Sequence, residues 1–191
     1  MKRREFVRHT AAAGTVLAVA PTWTAGCRRR RLPAGASRLN LDPGWQFLLG
    51  DAEGAESLAF DDGGWTPADL PHTARVESLV TGAPGSDTFQ WQGVCWYRKS
   101  FEPGPGAEGR RAFIHFDGAM NVSEVWLNGE RLGGHMGGWM PFGFDVTDHV
   151  ARRGGNVLAV RLDNHDNPVT GPKPLPQLDF NPYHGLYRSV R

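Results

Sequence analysis

Short runs of alternating apolar and polar residues recur along most of the chain. Residues 156–163 (NVLAVRLD) form the cleanest run. Residues 94–101 and 111–116 alternate as well. In the latter, Phe113 and His115 fall on one side and Ile114 and Phe116 on the other. Such period-2 runs predict half-buried strands. Residues 121–146 add the strongest local signal. Val122, Val125, Trp126 and Leu127 precede Asn128-Gly129, and Leu132, Met136, Trp139 and Phe142 follow it. An Asn-Gly pair suits a type I′ turn, which needs positive φ at both central residues, so a β-hairpin is predicted here. Glycines 133, 134, 137 and 138 are expected to interrupt the returning strand and bend it. Trp126, inside a strand, is expected in the core.

The remaining signals are weaker. A first strand is expected within 39–49, broken by Asn40, Asp42, Pro43 and Gly44. The acidic, glycine-rich stretch 50–64 reads as a surface loop or short helix. Residues 65–70 lead into Pro71-His72. Residues 78–90 read as a long exposed loop, and 164–184, rich in Pro and Asn, as another. Residues 144–150 carry Asp145 and Asp148, and 186–191 open a new strand. That strand stops at Arg191 without a turn signal, as if cut from something longer. About eight strand signals at regular spacing, with no helical period after the leader, predict an all-β sandwich.

Composition refines this picture. The 191 residues suffice for one well-cored domain. Twenty-five glycines and seven tryptophans suit a sandwich with tight turns. Residues 1–27 read as an export signal. A basic segment holding Arg3-Arg4 resembles a twin-arginine motif. An apolar stretch of about ten residues follows, too short to span a bilayer. Ala25-Gly26-Cys27 resembles the end of a lipobox, with Thr24 where a leucine-like residue is usual. Lipidation of Cys27 is therefore expected, with ordinary signal-peptidase cleavage as the alternative. The protein is expected at the cell surface or in the periplasm, anchored to the membrane through that lipid. Residues 28–38 read as a linker whose Arg28–Arg31 run can touch anionic head groups. From Leu32 onward, thirteen basic residues face nineteen acidic ones, a net charge of −6. No basic face is left for nucleic acid. With Cys27 modified, Cys95 has no disulfide partner and is expected to pack inside.

Several phrases carry a family likeness in this order and spacing. They are Phe60-Asp61-Asp62 with Trp65, Asp69-Leu70-Pro71-His72, and Trp96-Tyr97-Arg98-Lys99-Ser100-Phe101. EVWLNGERLGGHMGGWMPFGFDVTDHV at 124–150, NVLAVRLDN at 156–164 and LDFNPYHGLYR at 178–188 follow. Together they resemble the N-terminal sugar-binding domain of glycoside hydrolase family 2, in its β-galactosidase-like branch, over residues 39–191. The resemblance implies a jelly-roll β-sandwich. It also implies a parent enzyme that hydrolyses terminal β-glycosides with retention, using two glutamates on a separate (β/α)8 barrel. Neither glutamate has a counterpart here. A retaining pair needs carboxyl groups roughly 5–5.5 Å apart. Asp117, Asp145, Asp148, Asp163 and Asp166 neighbour turn residues and read as turn caps. The chain alone is therefore not expected to be catalytic. A stand-alone carbohydrate-binding module or a structural surface domain is the competing reading.

Site residues follow from the same resemblance. Asp179, six residues before Gly185, matches the aspartate that reaches the sugar in the barrel's active site. A carboxylate suits that task because it accepts two hydroxyls at once. The residues alone also allow a turn aspartate. His184 departs from the family pattern, where glycine is common. A sodium ion shared with the barrel is implied in some relatives, and no other cofactor. Asn164 is expected to line the same mouth, with an Asx turn as the alternative. Trp139, between Gly138 and Met140, is a candidate platform for a sugar face. His72 and His135 lack partners at metal-ligand spacing, so no metal site is expected. The expected partners are carbohydrate and the parent's barrel.

Overall fold

The computed structural model describes residues 36–74, 92–104, 106–170 and 184–191. The leader with Cys27, most of the linker, the 78–90 stretch and Asp179 lie outside the described residues. From Arg38 to Arg191 the chain forms one unit.

Among the described residues eight strands follow one another: β1 (Trp45–Leu49), β2 (Thr66–Ala68), β3 (Val94–Phe101), β4 (Phe113–Phe116), β5 (Val122–Leu127), β6 (Glu130–Met136), β7 (Phe142–Asp145) and β8 (Asn156–Asp163). All pairings are antiparallel. Six strands form one sheet in the order β2-β1-β3-β8-β5-β6, and β4 pairs with β7 in a second. The described residues form an all-β sandwich, as the pattern predicts, of the jelly-roll class that the family resemblance implied.

Residues 184–191 complete the second layer. His115 N–H donates to Arg191 O (2.8 Å), and Asp117 N–H to Ser189 O (2.9 Å). On the other side, Leu41 N–H donates to Val190 O (3.1 Å), His72 N–H to Leu186 O (2.9 Å) and Ala74 N–H to His184 O (2.8 Å). The segment is thus seated between β4 and two distant stretches of chain. Leu186 and Val190 are fully buried there. The main core lies between the layers. It takes Cys95 and Tyr97 from β3, Val125 and Leu127 from β5, Leu158, Val160 and Leu162 from β8, and Ile114 and Phe116 from β4. Phe113 and His115 face outward, as the alternation requires.

The hairpin turn forms as predicted. Asn128 and Gly129 have φ of 56° and 85°, the left-handed values of a type I′ turn. Asn128 does a second job. Its Oδ1 accepts from Val157 N–H (3.0 Å) and its Nδ2 donates to Asn156 Oδ1 (2.9 Å), tying the turn to the start of β8. The returning strand does end before Gly137-Gly138, as expected, but Gly133 and Gly134 do not break it. β6 runs through Gly133 and Gly134, and a register shift falls opposite, between Val125 and Trp126. The first strand is also shorter than expected, because Pro43 and Gly44 delay it to Trp45.

Trp126 is a correction. Val125 and Leu127 point into the core, so Trp126 points to the sheet's outer face, where it is only partly buried. It stacks on Trp96 (centroids 5.4 Å apart, planes at 27°). Ala159 stands opposite Trp126 and Arg98 and diagonal to Trp96, which faces Arg161. Its small side chain leaves room for the two indoles to lean together across β8.

The outer face of β3 is covered by residues 51–65, which hold no helix. Arg98 staples them down. Its Nε donates to Asp62 Oδ2 (2.8 Å), Nη1 to the carbonyls of Ala55 and Ser57, and Nη2 to that of Phe60 (3.5 Å). The side chain is 2% exposed. A buried guanidinium is tolerated when most of its donors are matched. Arg98→Met keeps the length and removes the donors, leaving three carbonyls and a carboxylate short of partners. It is expected to lower unfolding free energy by about 3 kcal/mol in urea denaturation. A loss under about 1 kcal/mol would show that the staple matters little.

Candidate functional site

Three segments meet at Met120–Asn121, between β4 and β5. Met120 and Gly185 exchange backbone hydrogen bonds (3.1 and 3.3 Å). Asn121 Nδ2 donates to Thr170 Oγ1 (2.9 Å), and Asn121 O accepts from Gly137 N–H (3.0 Å). Thr170 and Gly185 bracket the span that contains Asp179. One dipeptide therefore fixes both feet of that span and the base of the Trp139 loop.

Each foot has its own supports. Asn167 Nδ2 donates to Thr170 Oγ1 (2.6 Å), while its Oδ1 accepts from the N–H groups of Val169 (3.0 Å) and Thr170 (2.9 Å). This is the Asx-type geometry that lets a polar side chain stand in for a turn. At the other foot, Gly185 has φ of 108°. A Cβ there would collide with the Tyr97 hydroxyl and crowd the backbone of His72 and Ala74. Only glycine combines this conformation with that approach. Tyr97 is buried, and its hydroxyl lies 2.8 Å from His72 Nδ1. Burial pushes the Tyr97 phenol upward in pKa and holds the His72 imidazole below its usual value.

Trp139 stands beside this hub. The residue is 49% exposed, and its ring meets Tyr187 edge-on (6.2 Å). The Tyr187 hydroxyl donates to Gly138 O (2.5 Å), and Arg188 Nη1 to Trp139 O (3.4 Å). The loop is thus pinned by its backbone while its indole stays open to solvent.

Asn164 is 2% exposed. Its Oδ1 accepts from Gly93 N–H (2.7 Å), and its own N–H donates to Gly93 O (3.1 Å). It braces the entry to β3 against the exit of β8. Its amide oxygen is already engaged within the fold.

Two of the aspartates, Asp145 and Asp163, behave as turn residues. Asp145 Oδ1 accepts from Thr147 N–H (3.1 Å), and Asp163 Oδ1 from His165 N–H (2.9 Å). Asp117 pairs with Arg191 (2.6 Å). Among the described residues no group of three or more His, Cys, Asp or Glu side chains has the spacing to hold a metal ion. Cys95 is buried, and desolvation raises its thiol far above the ordinary range, so it is not a nucleophile. His135 stacks on Phe142 (4.3 Å).

Sequence reasoning missed the hub and the Tyr97–His72 contact. Tyr97 and His72 lay in quoted phrases, but no local pattern joins residues 25 positions apart.

The described residues thus define an all-β sandwich, and comparison with known proteins supplies its family. Residues 81–191 match the family model described as glycosyl hydrolases family 2, sugar binding domain, and the chain belongs to that family. A β-glucuronidase from Formosa agariphila is 31% identical over 159 residues, covering 79% of this chain and 16% of the relative. A β-galactosidase from Thermoanaerobacter pseudethanolicus is 30% identical over 158 residues, covering 82% and 20%. The crystal structure of a Bacteroides uniformis β-glucuronidase superposes with a TM-score of 0.68 at 28% identity, covering 80% of this chain and 17% of that one. The chain thus spans a fifth or less of the length of these relatives.

The His72 environment has a measurable consequence. Its folded pKa lies below the ordinary 6.5 because burial disfavours the imidazolium. Stability from this group is therefore complete above about pH 6.5 and declines as pH falls toward the folded value. In thermal melts from pH 7.5 to 5, the native chain is expected to lose more stability than a His72→Asn variant. Parallel pH profiles for the two proteins would contradict this.

Proposed function

We propose that this chain is the N-terminal domain of an exported retaining β-glycosidase of β-galactosidase or β-glucuronidase type. The domain contributes one wall of the sugar pocket. A separate catalytic barrel supplies the acid and the nucleophile. The observation that carries the reading is the hub at Met120–Asn121 within a chain of this family. Thr170 and Gly185, described residues on either side of Asp179 in the sequence, are both tied to that hub. Asp179 is the residue assigned to the sugar. Trp139, exposed beside the same hub, offers an apolar face for the C–H side of a pyranose. Asn164 contributes by holding Gly93 in place at this end of the sheet. Any sodium ion at the pocket would take ligands from both domains. The relatives' names, β-glucuronidase and β-galactosidase, support a terminal β-linked sugar as substrate.

In the full-length parent, Asp179→Asn keeps the shape and removes the charge. Losing a charge-assisted hydrogen bond costs about 1.5–3 kcal/mol, or roughly 10- to 150-fold in kcat/KM. The melting temperature is expected to stay within about 2 °C. A fold that collapses while the surviving enzyme keeps its kcat/KM would make Asp179 a structural turn residue.

The leader carries the second part of the proposal. Arg3-Arg4 directs export by the twin-arginine route, and Cys27 receives lipid. Arg3→Lys with Arg4→Lys is expected to block export. Cys27→Ser is expected to release the protein from the membrane fraction. Unchanged export in the first variant, or unchanged membrane retention in the second, would refute the corresponding step.

A further inference from the structure

Asn128-Gly129 is the one place in the chain where an asparagine precedes a glycine. The pair has a chemical consequence beside its conformational one. A side-chain amide is lost when the backbone nitrogen that follows attacks its carbonyl carbon. Glycine presents that nitrogen with no side chain in the way. The other asparagines precede Leu41, Val122, Val157, His165, Pro168 and Pro182. Leucine, valine and histidine shield the nitrogen, and proline has no N–H to give up. We infer that Asn128 is a latent modification site: it deamidates spontaneously when the turn between β5 and β6 opens away from β8, and the closed fold prevents it. The inference is independent of the hydrolase reading.

The closed turn holds both polar atoms of the Asn128 side chain. Oδ1 accepts from Val157 N–H (3.0 Å), and Nδ2 donates to Asn156 Oδ1 (2.9 Å) and to His149 O (3.0 Å). The Asn128 backbone N–H donates to Val157 O (2.9 Å). Asn156 is itself a fixed anchor. It is fully buried, its Oδ1 accepts from Ala151 N–H (2.8 Å) and its Nδ2 donates to Ala151 O (3.0 Å). Deamidation forms a bond between Gly129 N and Asn128 Cγ and breaks the bond from Cγ to Nδ2. Nδ2 leaves as ammonia and takes up, through water, the proton that Gly129 N gives up. Water then opens the succinimide ring at either carbonyl, leaving aspartate or isoaspartate. Ring closure draws Cγ onto the Gly129 nitrogen, which pulls the amide off β8 and off the His149 carbonyl. Those three hydrogen bonds must therefore break first.

The turn is placed where such an opening can occur. β6 ends the order of the larger sheet and pairs within it only with β5, and Gly129 is exposed. The product does not fit the closed turn. An aspartate at this position would set its carboxylate against Asn156 Oδ1 and His149 O, acceptors that need the lost N–H donors. Isoaspartate also adds a carbon to the main chain of a two-residue turn, whose length sets the register of the hairpin. Opening at this turn thereby becomes irreversible.

The test is peptide mapping of the full chain by mass spectrometry after timed incubation in mildly alkaline buffer, with and without urea. In urea the peptide holding Asn128 is expected to gain the mass of an amide-to-acid change. In the native chain it is expected to do so at least about tenfold more slowly. Asn156→Ala removes one Nδ2 acceptor and is expected to speed the reaction of the folded chain several-fold. Should that variant misfold, the unaltered chain in rising urea tests the same point. Its rate is expected to follow the opened fraction reported by hydrogen exchange of the Val157 amide. Equal rates in the native and unfolded chain would overturn the inference. So would no deamidation in urea, faster loss at another asparagine, an unchanged rate in folded Asn156→Ala, or a rate that ignores Val157 exchange.

Discussion

The seating of residues 184–191 is the constraint on which the rest depends. Their backbone fills the gap between β4 on one side and Leu41, His72 and Ala74 on the other. Without them β4 and β7 would be a two-stranded ribbon, which is marginal alone in water. The same segment delivers Leu186 and Val190 to the core. It also sets Gly185 against Met120 and Tyr97. One stretch of chain thus closes the sandwich and supplies Gly185 to the Met120–Asn121 hub.

β3 shows how a central strand divides its labour. Its inward residues, Cys95 and Tyr97, serve the core, and the Tyr97 hydroxyl also meets His72 and backs Gly185. Its outward residues, Trp96 and Arg98, hold down the 51–65 segment. Both faces are buried, which suits a strand packed between a core and a covering loop. Arg98 makes that cover possible. Loop carbonyls facing a sheet need donors, and one guanidinium supplies them to three residues and a carboxylate at once.

Much of the fold was legible in the sequence. The period-2 runs at 94–101 and 156–163 became β3 and β8 with the same bounds, because both sit mid-sheet and their alternation meets two buried faces. Asn128-Gly129 gave its turn because few other pairs accept those φ values. Trp126 was misplaced since a large apolar residue in a strand does not announce which face is the core. Only the register with Val160 and Ala159 settles that. The glycines of β6 were overweighted as breakers, for a strand at a sheet edge tolerates them when a bulge absorbs the offset. The site was less legible than the fold. The family phrases pointed to the family that the matching model shows. The Met120–Asn121 hub left no local mark, because it is made largely of backbone bonds to residues far along the chain.

Amide hydrogen exchange of the native chain tests the central claim most directly. The N–H groups of Leu41, His115, Asp117, Met120, Gly185 and Arg191 all donate across the two borders of the 184–191 segment or at the hub. If that segment is integral to the sandwich, these amides are expected to exchange only with global unfolding, at the rate seen for Tyr97 in β3 and Val160 in β8. Rapid exchange of all six while β3 and β8 remain protected would show the segment to be a loosely attached edge and would contradict the account.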